Sequence, residues 1–370
     1  MSNIGFWRTR SERYRLVGTE CPHCGARYAF PRLVCSACGR PLEALDKEIF
    51  PTVETPPADE HVAVTVIIPA YNAKATIRGT LDSLAAQQDA PSYEVIVVDS
   101  SDDGTDQIIA EVYPWVKLIH QSEKTDPGMA RNLGLSASHG QVIACLDADC
   151  IAPKDWLARI MADQRAGHEV VGGAVENGKS QSAVAWAGYM GEFREFIPSG
   201  KPRIVSHIPT CNIAYHRTIF ERFGGFPTRF YPQEDLLYHW RLGHHGVPLW
   251  FDPELIVQHM HRSTWRGYLQ HQHRIGRITT RMLQVTGGEG AFLARSPLLT
   301  LLSVPALPLV KWGRTLAAFW SRQPGTVRKH IPAVAVLLIG LYAWMLGFVA
   351  GTFGPPLHWV DGEGLTWQPA

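Results

Sequence analysis

The segment Val142-Ile143-Ala144-Cys145-Leu146-Asp147-Ala148-Asp149 ends an apolar run with two carboxylates that are one residue apart. Two carboxylates at the carboxyl end of a buried strand are costly unless a cation neutralises them. Ligands of open α/β sheets also bind at this edge. The pair therefore predicts a divalent metal site that faces a phosphate-bearing ligand. The alternative is a turn in which an aspartate caps the helix that follows.

Three segments upstream have the pattern of short strands separated by helices. The strand candidates are rich in β-branched residues and comprise Val64–Ile68, Glu94–Val98 and Val116–Ile119. Apolar residues at helical spacing occupy Thr76–Gln87 and Asp106–Tyr113. Strands that alternate with helices predict an α/β fold with right-handed βαβ units and a parallel sheet. The polar ends of these strands would gather beside the aspartate pair, where a nucleotide could lie.

Six motifs, in this order, resemble those of family 2 glycosyltransferases, which have the GT-A nucleotide-sugar fold. They are IIPAYN, VVDSSDDGT, GMARNLGL, CLDADC, TCNIAYHRTIFERFGGF and QEDLLYHWRL, spread over residues 64–260. The resemblance implies a mostly parallel sheet with a Rossmann-like half. It also implies the family's reaction, the transfer of a sugar from a nucleotide-diphosphate donor.

The same resemblance implies a nucleotide-sugar pocket. Four residues would line the base and ribose pocket or bind the base, namely Pro69, Tyr71, Asn72 and Asp99. Arg131 would lie near the nucleotide, and Asp147 would contact ribose or metal. The stretch that begins at Asp99 is one residue shorter than the commonest family version. Asp102 and Asp103 therefore have no secure role, and the alternative is that they cap the next helix.

The resemblance also implies a catalytic metal ion. Asp149 would ligate Mg²⁺ or Mn²⁺ that bridges the diphosphate, with Asp147 beside it. His259 comes 24 residues after Asp235, and several family members use a histidine in this region as a further ligand. The chain has 16 histidines, which lowers the specificity of each one, and His261 is the reserve candidate.

Sugar transfer needs a base on the acceptor side of the anomeric carbon, because an inverting displacement is in line. Glu234 and Asp235 open a predicted helix over Leu236–Leu242, where the helix dipole favours charged carboxylates. The family pattern makes the second acid the base, so we assign this role to Asp235, with Glu234 next to it. The alternative is that both acids merely occupy the first turn.

The amino-terminal part carries two Cys-x₂-Cys-Gly motifs with the four cysteines Cys21, Cys24, Cys35 and Cys38. Four thiolates on tight turns suit a tetrahedral metal. Residues 6–40 resemble the rubredoxin-like ribbons that precede OB folds in acyl-CoA-associated proteins. We therefore expect a zinc ribbon over residues 1–43 with one structural Zn²⁺, and iron is the alternative. Its surface suits either the docking of a protein partner or no specific role.

Composition agrees with this layout. The net charge of +1 gives no case for nucleic-acid binding. Seven cysteines, of which four are assigned to a metal, suit a reducing compartment rather than a disulfide framework. Prolines and acids over residues 44–60 predict a flexible linker, and a GT-A domain is expected over residues 61–285.

The carboxyl-terminal part predicts membrane attachment. Residues 331–353 are apolar and free of charge, which is long enough for a transmembrane helix. Residues 297–320 contain Pro305 and Pro308, so we expect an interfacial or re-entrant helix there, and a helical hairpin is the alternative. Nucleotide sugars are cytoplasmic, so we expect the catalytic domain on the cytoplasmic side of the cell (inner) membrane.

The sequence as a whole predicts a membrane-anchored inverting glycosyltransferase that acts on a lipid-linked or envelope glycan acceptor. A Q-x-x-R-W motif does not occur, and one or two spans cannot enclose a polymer channel, which argues against processive synthesis. One alternative is a sugar nucleotidyltransferase, whose usual Gly-rich loop is missing from residues 69–78. Another is an inactive membrane scaffold recruited through the zinc ribbon, which loss of Asp147, Asp149 or Asp235 would favour.

Removing two ribbon thiols tests whether the ribbon is a separate structural module. The double substitution Cys21→Ser with Cys24→Ser breaks a closed tetrathiolate shell that leaves no position for water. We expect metal analysis to show one zinc fewer per chain, while transfer to a soluble acceptor mimic stays near the wild-type rate. Complete loss of transfer to the mimic would show that ribbon and catalytic domain form one unit.

Overall fold

The computed structural model describes residues 50–178, 181–228 and 230–354, and two short hairpin ladders nearer the chain ends. One ladder pairs Thr19–Glu20 with Arg27–Tyr28, and the other pairs His358–Val360 with Gly364–Thr366. The four cysteines of the predicted zinc site lie outside the described residues. Their arrangement around a metal therefore stays a prediction.

One nine-stranded sheet forms the centre of the molecule. Its strands are β1 (Val64–Ala70), β2 (Tyr93–Asp99), β3 (Lys117–His120), β4 (Val142–Leu146), β5 (Cys150–Ile151), β6 (Val170–Asn177), β7 (Arg203–Val205), β8 (Asn212–His216) and β9 (Leu249–His259). The order across the sheet is β3-β2-β1-β4-β8-β6-β9-β5, and β7 also pairs with β9.

The amino-terminal half of this sheet is the parallel, Rossmann-like half that the sequence predicts. Strands β3, β2, β1 and β4 run parallel, and β1 and β4 consist almost entirely of buried apolar residues. Such continuous apolar runs suit strands that are covered on both faces. In the other half, β8 is antiparallel to both β4 and β6, while β6 and β9 are parallel. The parallel character is therefore confined to part of the sheet.

Helices connect and cover the strands. They are α1 (Ile77–Ala85), α2 (Thr105–Val112), α3 (Pro127–Ser136), α4 (Trp156–Arg165), α5 (Ala183–Glu192), α6 (Thr218–Phe223), α7 (Glu234–His244), α8 (Trp265–Thr286), α9 (Ala291–Ala294), α10 (Pro297–Ser303), α11 (Leu307–Arg322), α12 (Pro324–Lys329) and α13 (Ile331–Phe353). Helix α3 begins with a proline at its first turn, and Asp126 caps it by accepting a hydrogen bond from the Met129 N–H.

The described part of the predicted linker, residues 50–60, has no helix or strand and contacts the catalytic domain at several points, and the flexible linker over residues 44–60 stays a prediction. Phe50 is buried, and the Arg241 guanidinium of α7 lies over its ring at 4.3 Å. The Pro51 carbonyl accepts a hydrogen bond from the Gly225 N–H. Burial of this aromatic ring contributes to holding the segment in place, which composition alone does not indicate.

The carboxyl-terminal helices pack on the catalytic domain. The predicted interfacial segment is two helices, α10 and α11, which break at residues 304–306. Within the part of the chain that the structure describes, α13 is the one helix long and apolar enough to cross a membrane. It runs alongside α8, and the Thr280 hydroxyl of α8 donates to the Phe348 carbonyl at 2.9 Å. One face of α13 stays exposed through Ile339, Leu346 and Phe353.

Candidate active site

A cavity of about 380 Å³ opens at the carboxyl edge of the parallel strands. It collects nine of the ten residues that the sequence predicts for nucleotide, metal and base, namely Pro69, Tyr71, Asn72, Arg131, Asp147, Asp149, Glu234, Asp235 and His259. The topology explains this convergence, because β1 and β4 are neighbours whose ends meet at one edge.

Asp99 is the tenth residue, and it does not line this cavity. Its side chain is fully buried at the end of β2, where it accepts hydrogen bonds from the Ser101 N–H and hydroxyl. The His120 ring of β3 lies 2.8 Å from its second oxygen. The carboxylate thus already has partners, and its predicted bond to a nucleotide base stays a prediction.

The loop after β1 is held in an unusual conformation. Asn72 has a φ of 51°, and its side-chain oxygen accepts from the Asp102 N–H. Asp103 accepts from the backbone N–H groups of Lys74 and Thr105, so it joins the start of α2 to this loop. Asp103 therefore joins the start of α2 to the cavity rim, and Asp102 contributes its N–H to the same rim, but the N-cap residue of α2 is Gly104 and neither aspartate occupies that position.

Tyr71 is the exposed member of the cavity rim. Its side chain is 45% exposed, and the Lys124 ammonium lies 3.7 Å from the ring centroid. An aromatic face and an ammonium group at the mouth of a polar cavity suit a flat, negatively charged ligand.

Arg131 lies in the cavity floor, where its side chain is 2% exposed, and its guanidinium lies between two carboxylates. Its Nη1 donates to Glu234 Oε1 at 2.8 Å and its Nη2 donates to Asp147 Oδ1 at 2.9 Å. Burial opposes the charge of Arg131, but the two carboxylates outweigh it and raise the pKa of the guanidinium. For Glu234 burial is the larger effect, and it raises the pKa to about 7 against the attraction of Arg131.

Asp149 and His259 meet because β9 pairs with β5, in the register His259 with Cys150. His259 Nε2 lies 3.5 Å from Asp149 Oδ1, and the Met260 N–H donates to the Asp149 carbonyl. Desolvation in the cavity raises the pKa of Asp149, His259 opposes this, and Asp147 adds to it. A carboxylate whose charge is disfavoured by burial and by a neighbouring carboxylate suits a site for a cation.

The donor atoms at this point fit a hard divalent ion with one imidazole ligand. Asp149, Cys150 and His259 place one possible ligand atom each within 4.8 Å of one another. Burial raises the pKa of the Cys150 thiol well above its ordinary value, so the thiol stays protonated and is a poor ligand. His259 Nδ1 is buried without a hydrogen-bond partner. Asp147 instead directs an oxygen to Arg131.

Asp235 occupies the first turn of α7. Its Oδ1 accepts from the Leu236 N–H at 2.7 Å, and its Oδ2 faces the Thr210 N–H at 3.4 Å. Desolvation raises the pKa of Asp235, while Arg131 and His207 act in the opposite direction. The weak contact of Oδ2 leaves that oxygen available to a ligand in the cavity.

Two residues of the cavity wall are missed by sequence reasoning. Glu192 ends α5 and accepts from the Gln272 side chain at 3.0 Å, and His271 of α8 lies 3.5 Å from its other oxygen. Burial opposes the charge of Glu192, but His271 outweighs it and lowers the pKa of this carboxyl to about 2. Neither residue belongs to a motif, and only the contact between α5 and α8 brings them to the cavity.

Comparison with known proteins agrees with this fold and site. The family described as glycosyl transferase family 2 matches residues 65–224, and the ChsH2 rubredoxin-like zinc ribbon domain matches residues 12–43. Glycosyltransferase AglE of Haloferax volcanii is 30% identical over 226 residues, 58% of this chain and 72% of AglE. The chain therefore belongs to glycosyltransferase family 2 and carries an amino-terminal zinc ribbon.

More distant similarities extend over a similar part of the chain. The pre-mycofactocin glycosyltransferase of Mycobacterium tuberculosis is 24% identical over 242 residues, 58% of this chain and 46% of that protein. The solved structure of mannosyltransferase PcManGT from Pyrobaculum calidifontis, in complex with GDP-Man and Mn²⁺, has a TM-score of 0.51. It is 20% identical, and the match covers 81% of this chain and 90% of that one, which shows a shared fold.

Replacement of Arg131 tests the ion-pair arrangement in the cavity floor. Arg131→Gln leaves Glu234 buried without its cation, and breaking a buried pair in this way costs about 3 kcal/mol of unfolding free energy. The pKa of Glu234 in the folded protein should rise further. A raised carboxyl pKa stabilises the fold at low pH, and this contribution is lost as the pH rises through about 7.

Urea denaturation at pH 5 and pH 8 measures this effect, and the destabilisation should be larger at pH 8. Arg159→Gln is the control, because Arg159 forms half-exposed pairs with Asp155 and Glu254 and should lose no more than about 1 kcal/mol. Equal destabilisation of the two variants, or no dependence on pH, contradicts the role of Arg131.

Proposed function

We propose that this chain is a membrane-anchored inverting glycosyltransferase that moves a sugar from a nucleotide-diphosphate donor to a lipid-linked or envelope glycan acceptor. The observation that carries this proposal is one cavity that joins a nucleotide-side rim, an acidic pair with an imidazole, and a carboxylate at a helix amino end. A displacement at an anomeric carbon needs all three functions in one place.

The donor would bind across the ends of β1 and β4. The rim residues Pro69, Tyr71 and Asn72 would hold the base and ribose. Asp149 and His259 would hold Mg²⁺ or Mn²⁺, with Asp147 as a further ligand or a ribose contact. When bound, such an ion supplies Lewis acidity to the diphosphate oxygens. Mn²⁺ accompanies GDP-Man in the PcManGT structure, which supports the choice of ion.

Arg131 would position the donor-side carboxylates. Its two hydrogen bonds fix the orientation of Asp147 and leave the other oxygen of that carboxylate directed to the cavity. Arg131 also donates a hydrogen bond to Glu234, so this carboxylate already takes part in a buried ion pair. Of the adjacent acids, Asp235 is therefore the one suited to proton transfer.

Asp235 would act as the general base. The acceptor hydroxyl would give its proton to Asp235 as its oxygen forms a bond to the anomeric carbon. The bond between that carbon and the diphosphate breaks on the opposite face, which inverts the configuration. Desolvation raises the pKa of Asp235, and a more basic carboxylate is a better proton acceptor near neutral pH.

The outer parts of the chain would place this site at a membrane. Helix α13 would anchor the protein, residues 297–320 would lie in the interface, and the domain over residues 61–285 would face the cytoplasm, where nucleotide sugars occur. The ribbon over residues 1–43 would hold a structural zinc through Cys21, Cys24, Cys35 and Cys38 and offer a docking surface for a partner.

Asp149→Asn tests metal dependence. The substitution removes a ligand charge, so the leaving diphosphate loses compensation worth several kcal/mol, and transfer should fall at least about 100-fold. Radiolabelled donor turnover in membranes with Mn²⁺ measures this, and EDTA should have the same effect on the wild type. Asp155→Asn is the control, because Asp155 forms a half-exposed ion pair with Arg159 on the surface. A wild-type rate in EDTA contradicts a metal-dependent reaction.

Asp235→Asn separates the base from the donor pocket. Because a base acts on the acceptor, calorimetry should show nucleotide binding within about twofold of the wild type while turnover falls by about 100-fold or more. Calorimetry with UDP and with GDP covers both common bases. Loss of nucleotide binding with only a modest loss of turnover would place Asp235 in the nucleotide pocket instead.

A further inference from the structure

A second cavity lies on the other side of the chain segment that contacts Asp235. It also measures about 380 Å³, and an open cavity of about 630 Å³ adjoins it and shares two of its arginines. We call this region the basic groove and define it by its cationic and imidazole residues, Arg194, Lys201, Arg203, His207, Arg314 and Arg322. Helix α11 forms one of its walls.

Positive charge in the basic groove is poorly neutralised. Glu195 is the single carboxylate among its described lining residues, and it lies 3.4 Å from Arg194 with half of its side chain exposed. The other contacts of the arginines are neutral. Arg322 donates to the Arg194 carbonyl at 3.1 Å. The cavity of the candidate active site differs, because there Arg131 is paired with two carboxylates.

The protonation equilibria reflect the same excess of positive charge. Burial lowers the pKa of Arg203, and the neighbouring Arg322 lowers it further. Burial, Arg194 and Arg314 together lower the pKa of Lys311, next to the groove on α11, to about 7. When cations destabilise one another in this way, a bound anion lowers the electrostatic free energy of each of them.

The groove and the active-site cavity share a thin wall. His207 lines the groove, whereas Pro209 and Thr210 line the cavity. His207 is also close enough to Asp235 for each to shift the pKa of the other. A ligand held by the arginines would therefore extend toward the carboxylate proposed as the base.

The outer face of the neighbouring helices is apolar. Leu309, Val310 and Trp320 of α11 are exposed, and so are Leu298 and Leu302 of α10. An exposed apolar face of this kind beside a row of cations suits the boundary between hydrocarbon and phosphate in a membrane.

We propose that the basic groove binds the phosphate or diphosphate group of a lipid-linked acceptor, whose chain lies along α10 and α11 and whose hydroxyl reaches Asp235. This inference rests on the proposed function and names its acceptor class. The phosphate is a handle and not the nucleophile, because residues 207–210 lie between the arginines and Asp235, and only the hydroxyl end of the acceptor passes this segment to reach the base. The arginines therefore determine acceptor specificity without taking part in the transfer.

Binding of farnesyl phosphate and farnesol by the full chain in detergent tests the proposal. UDP, GDP and Mn²⁺ are present in excess, so that the nucleotide pocket is filled. Farnesyl phosphate should bind at least about tenfold more tightly than farnesol, because charge-assisted bonds to two arginines are strong. The double variant Arg314→Gln with Arg322→Gln should remove this preference. Arg328→Gln with Lys329→Gln loses the same charge outside the groove and should keep it.

Three outcomes would overturn the proposal. Equal binding of farnesol and farnesyl phosphate would exclude a phosphate site. Equal losses in both double variants would show a general attraction by positive charge. Competition by inorganic phosphate at the concentration of farnesyl phosphate would show that the lipid chain contributes nothing.

A second readout separates this proposal from the proposed function. Nucleotide binding without acceptor, measured by calorimetry with UDP and with GDP, reports only on the nucleotide site and should be unchanged in the groove variant. Transfer to the acceptors of a membrane extract should fall at least about tenfold, and the loss should appear as a higher KM for the acceptor. Absence of nucleotide binding by the wild type would contradict the glycosyltransferase site, whereas the farnesyl phosphate result would still decide the groove.

Discussion

The hydrogen bonds of Arg131 to Asp147 and Glu234 are the interaction on which the site depends. They join α3 to the end of β4 and to the first turn of α7, three elements that are distant in sequence. A buried guanidinium that donates hydrogen bonds to two carboxylates has a fixed orientation. The end of β4 and the first turn of α7, proposed as the donor side and the acceptor side of the cavity, are therefore positioned by one side chain.

The second half of the sheet supplies the residues that the parallel half lacks. Strand β8 reverses direction beside β4, and this brings the segment before it, with Thr210, against Asp235. Strand β9 then carries His259 back to Asp149 through its pairing with β5. A purely parallel sheet would keep these residues on separate connections. The mixed topology thus brings Thr210 and Asp235, and His259 and Asp149, to the cavity at the end of the parallel half, where the proposed reaction needs them.

Local patterns in the sequence predict most of the parallel half and most of the cavity, because apolar runs and the polar residues that end them are adjacent in the chain. Long-range contacts are the part that sequence reasoning cannot reach. The Asp99 carboxylate is already paired with His120 of the next strand. Glu192 reaches the cavity through its contact with His271 of α8. The packing of Phe50 likewise depends on Arg241, nearly two hundred residues later.

The anchorage of Phe50 and Pro51 limits how far the zinc ribbon can act. Phe50 comes 12 positions after Cys38, and a fully extended chain of that length spans at most about 40 Å. A partner that docks on the ribbon, as proposed above, would therefore stay close to that radius of α7, the helix that carries Asp235. Confinement to so small a volume corresponds to a local concentration in the millimolar range. Even a weak ribbon contact could thus keep a partner beside the transferase between turnovers.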